Sequence, residues 1–277
     1  MSNNNNKSWA LILGASSGFG EAVALRLAED GYNIAGVHLD RQATIHNIER
    51  IREQIKSHGV ESMFFNINAA DEEKRRDVLN ELDKKFHGKP FIKVLVHSLA
   101  FGTLKPYIGA KREDVLSKAQ MEMTVDVMAH SLVYWVQDLY LRNMLERQVR
   151  IFAMTSSGGH TAIPFYGAVS AAKAALESHV RQLACELGPI EASVNSIMAG
   201  VTDTPALRKI PGNRMMIEVA SRRNPQGRLT SPEDVGKIVS LICKEGGHWI
   251  SGGLIHADGG EDIVNFVGQG KPLDYDN

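Results

Sequence analysis

Only two cysteines occur in the 277 residues, Cys185 and Cys243, and they are far from the close spacing of a structural zinc site or a redox pair. No metal site is expected, and free or buried thiols fit a reducing compartment, the cytosol. No segment approaches the roughly 20 consecutive apolar residues that cross a bilayer. The asparagine run at the start has no apolar core to act as a secretion signal, and residues 1–6 are expected to form a disordered tail. A formal net charge of -1 leaves no basic footprint for a nucleic acid. The cluster Lys74-Arg75-Arg76 follows Asp71, Glu72 and Glu73 and reads as a solvated helix face. No linker, composition shift or solenoid repeat divides the chain.

What is present is a core-forming composition, 43% hydrophobic and 23% charged. Short apolar runs alternate with longer amphipathic ones from Trp9 onward. Strands are expected over 9–13, 33–38, 62–67, 92–97, 150–154, 193–197 and 253–256, with helices in most of the gaps. That alternation predicts the α/β class: a single doubly wound Rossmann-type domain over 7–277 with a parallel seven-stranded sheet. Ligands are then expected at the carboxyl ends of the strands.

The first apolar run, Trp9 to Leu13, leads directly into Gly14-Ala15-Ser16-Ser17-Gly18-Phe19-Gly20 and an amphipathic helix. A strand, a glycine-rich turn and a helix in that order present backbone N–H groups and a positive helix end to a pyrophosphate. The pattern G-x-x-x-G-x-G differs from the G-x-G-x-x-G dinucleotide fingerprint, and a glycine turn of this kind also serves as an ordinary structural cap. With this turn the chain resembles the short-chain dehydrogenase/reductase family, from about Trp9 to Gly260.

The resemblance implies NADPH or NADH as cofactor, with phosphate contacts from Gly14, Ser16, Ser17, Gly18, Phe19 and Gly20. At the tip of the second strand, His38-Leu39-Asp40-Arg41, an acid would hold a ribose 2′-hydroxyl and a base a 2′-phosphate. Relatives that prefer NAD usually have the acid at the position of His38, so Asp40 is displaced and Arg41 can serve a phosphate; NADPH is favoured over NADH. Further cofactor contacts are implied at Asn66 and Ile67 beside the adenine, at Ser98, Leu99 and Ala100 beside the ribose, and at Lys173, Gly200 and Thr202. Asn66, Ile67 and Ser98 to Ala100 are equally explicable as ordinary strand ends.

In most members of the family a tyrosine precedes its lysine with three residues between, but residue 169 is a valine and the nearest tyrosine gives Tyr166-x6-Lys173. On a helix, seven residues return to nearly the same face about 10 Å further along. This longer spacing, Ala162-Ile163-Pro164-Phe165-Tyr166, Ala172-Lys173-Ala174-Ala175-Leu176-Glu177 and His97-Ser98-Leu99-Ala100 resemble bacterial enoyl-acyl-carrier-protein reductases. Asp126 stands where other members have a catalytic asparagine. The implied reaction reduces the carbon-carbon double bond of an enoyl thioester, as in fatty acid synthesis, with Tyr166 as donor to the thioester oxygen and Lys173 holding the nicotinamide ribose.

Ser156 occupies the place of the catalytic serine of carbonyl-reducing members, where many enoyl reductases have a second tyrosine. Reduction of a 3-oxoacyl thioester or another carbonyl by Ser156, Tyr166 and Lys173 therefore stays open, as does a nucleotide-binding regulatory role without catalysis. His97 and His160 read as packed or surface histidines rather than acid-base groups. Leu207, Ile210, Met215, Met216 and Ile217 suit either an adaptable acyl pocket or helix packing. Arg208, Lys209 and Arg214 could meet the phosphopantetheine or the acidic surface of a carrier protein; coenzyme A is the other carrier. The resemblance further implies a homotetramer built on helices over 121–147 and 166–187; the cysteine usage, net charge and lack of a long apolar run already point to a cytoplasmic protein with no nucleic acid partner and no membrane insertion.

Overall fold

The computed structural model describes residues 7–41 and 46–265. The tail expected at 1–6 lies outside the described residues, as do 42–45 and 266–277. Seven strands, β1 (Trp9–Leu13), β2 (Asn33–His38), β3 (Ser62–Asn66), β4 (Ile92–His97), β5 (Leu145–Thr155), β6 (Ser193–Ala199) and β7 (Leu254–Ala257), form one sheet in the order β3-β2-β1-β4-β5-β6-β7. Every pairing is parallel. Parallel strands covered on both faces need continuous apolar runs, and all five residues of β1 are buried.

Alternation along β1 sends Leu11 and Leu13 to one face and Ala10 and Ile12 to the other, each into its own core. Helices α1 (Gly18–Glu29), α2 (His46–Ser57) and α8 (Pro232–Ile242) supply Val23, Leu27, Ile51 and Val239 to the second core. On the other face lie α3 (Glu72–Phe86), α4 (Lys118–Val125), α5 (Ser131–Leu141) and the long α6 (Gly167–Glu186). Trp135 of α5 is fully buried there, and its indole N–H donates to the Ala69 carbonyl at 2.8 Å. The remaining helix, α7 (Asn213–Arg223), follows β6 on the way to α8.

Two expectations are corrected. The helix expected over 121–147 is interrupted by a π-helical turn, Asp126–His130, and stops at Leu141; Leu145 already begins β5. The stretch from Glu146, which the resemblance assigned to that helix, is instead the partly exposed start of a strand, broken by Gln148 at φ 57° where β5 loses register with β4. Tyr166 is not inside a helix: with φ -95° and ψ 0° it is the N-cap residue, and α6 begins at Gly167.

Strand order reverses between β1 and β4, which leaves a crevice at their carboxyl ends. The glycine turn, Ser98 and the segment before α6 all leave the sheet on that side.

Candidate active site

The turn after β1 is held by Gly14 and Ala15 N–H groups, which donate to the Val37 carbonyl at 2.8 and 3.0 Å. Gly14 has φ +92°, and a Cβ on it would lie 2.3 Å from the Ser98 carbonyl oxygen at the end of β4. A Cβ on Gly20 would stand 2.0 Å from the Gly14 carbonyl oxygen. Both positions exclude any side chain, so backbone lines the floor of the crevice. Ser17 caps α1 with no side-chain bond to the first turn. Glu21, an acid that would repel a phosphate there, is bonded to Arg50 and Asn47 of α2. Asn47 also donates to the Ser16 carbonyl. Phe19 packs against the core beneath α1, and Gly18 lies against Thr204.

At the tip of β2 the His38 ring is buried and its Nδ1 is 2.8 Å from Asp40 Oδ2. Asn66 clasps the backbone of residue 40 from β3: its Oδ1 accepts from Asp40 N–H and its Nδ2 donates to the Asp40 carbonyl, both at 3.0 Å. Asn66 thus shapes the β2 tip, a pairing that its place at a strand end did not reveal. Arg41 is exposed beside it, and Ile67 packs toward the core with its N–H on the His38 carbonyl at 2.8 Å.

Lys173, two turns into α6, is buried, and its ammonium donates to the Met154 carbonyl near the end of β5 at 2.6 Å. Burial pushes its pKa down to about 8, against the opposing influence of the Glu177 carboxylate one turn on. Glu177 itself accepts from the Thr155 hydroxyl at 2.6 Å, so α6 grips two successive residues of β5. Sequence reading missed Glu177; its i,i+4 spacing from a buried lysine was the available signal. Burial raises the Tyr166 pKa, and the nearby Ser156 hydroxyl works in the other direction. Ser156 Oγ nevertheless completes no hydrogen bond: it is buried without a partner among the described residues. The Tyr166 ring lies against Gly158, where a Cβ would be 2.7 Å from the ring and 3.2 Å from Ser156 Oγ. Tyr166 and Ser156 are therefore neighbours.

His97 ends β4 on the same side of the sheet. It is fully buried, and its Nε2 is 2.8 Å from Ser131 Oγ, which donates to the Val127 carbonyl at 2.8 Å. Since the single Ser131 proton is used there, His97 carries its proton on Nε2. Burial, then the Lys173 charge, push the imidazole pKa down to about 3, so the ring is neutral and no acid. His160 is exposed and bonded to Asp262 at 2.9 Å. Ser98 N–H donates to the Leu13 carbonyl, and Leu99 packs against the core. Ala100 is exposed at the crevice end of β4, and Asp126 opens the π-helical turn.

The far wall follows β6. Gly200 lies so close to Thr230 and Glu261 that a Cβ would meet their oxygens at 2.5 and 2.7 Å. Val201 N–H donates to the Glu261 carboxylate at 3.2 Å, and Thr202 Oγ1 to the Gly200 carbonyl at 2.9 Å. Burial raises the Glu261 pKa. Asn224 donates to the Asp258 carbonyl at 2.8 Å and Arg223 to those of Asp262 and Val264 at 2.6 Å, which fastens the wall from the distal sequence. Arg208, one of the basic residues considered for carrier contact, is held by both oxygens of Asp203 at 2.8 and 3.0 Å. Leu207 and Ile210 are buried whereas Met215 is exposed.

These residues fit a nicotinamide dinucleotide. Backbone cleared of Cβ atoms, an open helix start and an ammonium with N–H groups beyond its single carbonyl partner are what such a ligand requires. No group of three or more metal-ligating side chains occurs among the described residues.

Comparison with known proteins places this geometry among relatives. A family profile described as Enoyl-(Acyl carrier protein) reductase matches residues 14–261. The NADH enoyl-acyl-carrier-protein reductase FabI of Aquifex aeolicus is 29% identical over 180 residues, 65% of this chain and 66% of that one. The 3-oxoacyl-acyl-carrier-protein reductase FabG of Pseudomonas aeruginosa is 27% identical over 257 residues, 91% of this chain and 96% of that one. Among solved structures, the Aquifex aeolicus enoyl reductase superposes with a TM-score of 0.81 at 24% identity, over 96% of this chain and 100% of that chain. An enoyl reductase of Anaplasma phagocytophilum in complex with NAD gives 0.78 at 20% identity, over 99% and 97% of the two chains.

Proposed function

The chain belongs to the enoyl-(acyl carrier protein) reductase family of short-chain reductases, and from that premise we propose that it uses NAD(P)H to reduce the carbon-carbon double bond of an enoyl thioester. The observation that carries this reading is Tyr166, a phenol held protonated by burial at the N-cap of the helix whose second turn carries the buried Lys173 ammonium.

When bound, the reduced nicotinamide supplies a hydride to the β carbon of the substrate. Negative charge then gathers on the thioester oxygen, and the Tyr166 hydroxyl donates to that oxygen more strongly than to the neutral ground state, which lowers the barrier; a proton from solvent then reaches the α carbon and completes the saturated thioester. Lys173, fixed by Met154, holds a positive charge two turns along the helix that Tyr166 caps and offers its remaining N–H groups to the ribose. Neutral His97 adds no competing cation. Arg41 at the β2 tip supports NADPH over NADH.

The assay follows cofactor absorbance with crotonyl thioesters of coenzyme A and of acyl carrier protein, with NADPH and NADH in parallel. Consumption is expected, faster with NADPH. Steady absorbance with every carrier and chain length removes the reading. A second reading, reduction of 3-oxoacyl thioesters, is favoured by Ser156, whose unpartnered hydroxyl beside Tyr166 could hold a ketone oxygen; turnover of acetoacetyl without crotonyl thioester would establish it.

The pH profile gives an independent check. Lys173 acts as an ammonium, and its folded pKa in the free protein is about 8, so kcat/KM should fall as pH rises through about 8. Tyr166, shifted upward, does not set this limb. A profile that stays flat to 10.5, the ordinary lysine value, would remove Lys173 from its role. The homotetramer rests on resemblance and on the exposed Tyr134, Tyr140 and Leu141 of α5, and light scattering reads it directly. No helix among the described residues is long and apolar enough to cross a membrane.

A further inference from the structure

The residue that delivers Tyr166 to the cleft has a backbone conformation unsuited to its type. Tyr166 N–H donates to the Ile163 carbonyl at 3.1 Å, closing a four-residue turn through Pro164 and Phe165. Phe165 has φ 65°. Proline at the second position and positive φ at the third are the signature of a type II turn, whose third position takes glycine or asparagine. A bulky L residue there crowds its own backbone and is an outlier. Core burial does not offset that strain, because the ring is 45% exposed. Strain of this kind concentrates at functional sites.

The surroundings indicate what the ring is for. Two residues on, the Tyr107 ring from the segment after β4 packs over Gly167, where a Cβ would stand 2.5 Å from Cζ and 2.9 Å from the hydroxyl. Phe101, Tyr107 and Ile108 are exposed on that segment. Apolar side chains thus flank the start of α6 on both sides of Tyr166, where the reacting end of the substrate must sit.

We propose that Phe165 is a specificity-determining residue whose exposed ring contacts the alkyl chain of the acyl thioester beyond the reacting carbons, and that the strained turn is retained to hold it there. This rests on the acyl-thioester reading above. Methylenes are the matching chemistry for an apolar ring, and each one removed from water is worth about fourfold in affinity.

Asparagine suits the turn, so Phe165→Asn separates the backbone from the side chain. Relief of strain should raise the melting temperature by about 2–4 °C. Meanwhile the affinity for dodecanoyl-coenzyme A relative to butyryl-coenzyme A, measured by calorimetry with oxidised cofactor present, should fall about tenfold. Phe165→Tyr should restore the ratio. A purely structural role would move the melting temperature alone; an unchanged ratio in Phe165→Asn, or failure of Phe165→Tyr to restore it, overturns the proposal. Because binding needs no turnover, a wild-type protein that binds both thioesters and reduces no enoyl substrate overturns only the reaction reading. A wild-type protein that binds neither overturns both.

Discussion

Tyr166→Phe is expected to lower kcat by about a hundredfold or more while leaving cofactor affinity unchanged. The substitution removes one hydroxyl and keeps the ring that packs on Gly158. What disappears is a donor aimed at an oxygen that becomes charged only during reaction, so the loss belongs to turnover rather than to binding. Protonation favours this outcome: burial raises the phenol pKa, so the group is a donor throughout the neutral range. Stopped-flow single turnovers with crotonyl thioester, together with quenching titrations for the cofactor, measure both quantities. Turnover within a few-fold of wild type would move the donor role elsewhere, with Ser156 as a neighbouring hydroxyl.

Gly20→Ala should be strongly damaging to the cofactor turn. The new methyl group would sit 2.0 Å from the Gly14 carbonyl oxygen and 2.8 Å from its carbon, both backbone atoms held by the Val37 and Ser98 contacts. No flexible side chain can yield, so α1 must move off the turn. Overpacking of this kind costs about 1–3 kcal/mol, which corresponds to a melting temperature lower by roughly 2–12 °C. Because the phosphate floor itself is displaced, NADPH affinity should fall as well. Gly188→Ala is the control, since no atom lies within 4 Å of its Cβ position. If both variants melt and bind like wild type, the turn is not the close-packed cradle described above.

Much of the sheet was legible because parallel strands covered on both faces are written as uninterrupted apolar runs; β1, β2 and β4 have the bounds that those runs predict. β5 was half legible. Its buried portion stood out, whereas its first residues are charged, half outside the sheet and kinked at Gln148, and such a stretch has no period of its own. The N-cap position of Tyr166 was hidden for a related reason. A turn that relies on Pro164 and a left-handed Phe165 interrupts helix geometry without interrupting the helical spacing of Tyr166 and Lys173. The glycine turn was legible because exclusion of a side chain is a property of single positions. The His97–Ser131–Val127 chain and the Glu261 clasp were not, since each joins residues that only the folded topology brings together.

The clasp has a consequence for how the protein comes into being. A chain synthesised from its amino end completes the phosphate cradle of residues 14–20 before any of the opposite wall exists. The carboxylate of Glu261, which steadies the opposite wall through Val201, is added only after all seven strands of the sheet. A nascent polypeptide can therefore fold around half a crevice long before it can close one, and firm retention of the dinucleotide must wait until the segment that carries Glu261 has left the ribosome.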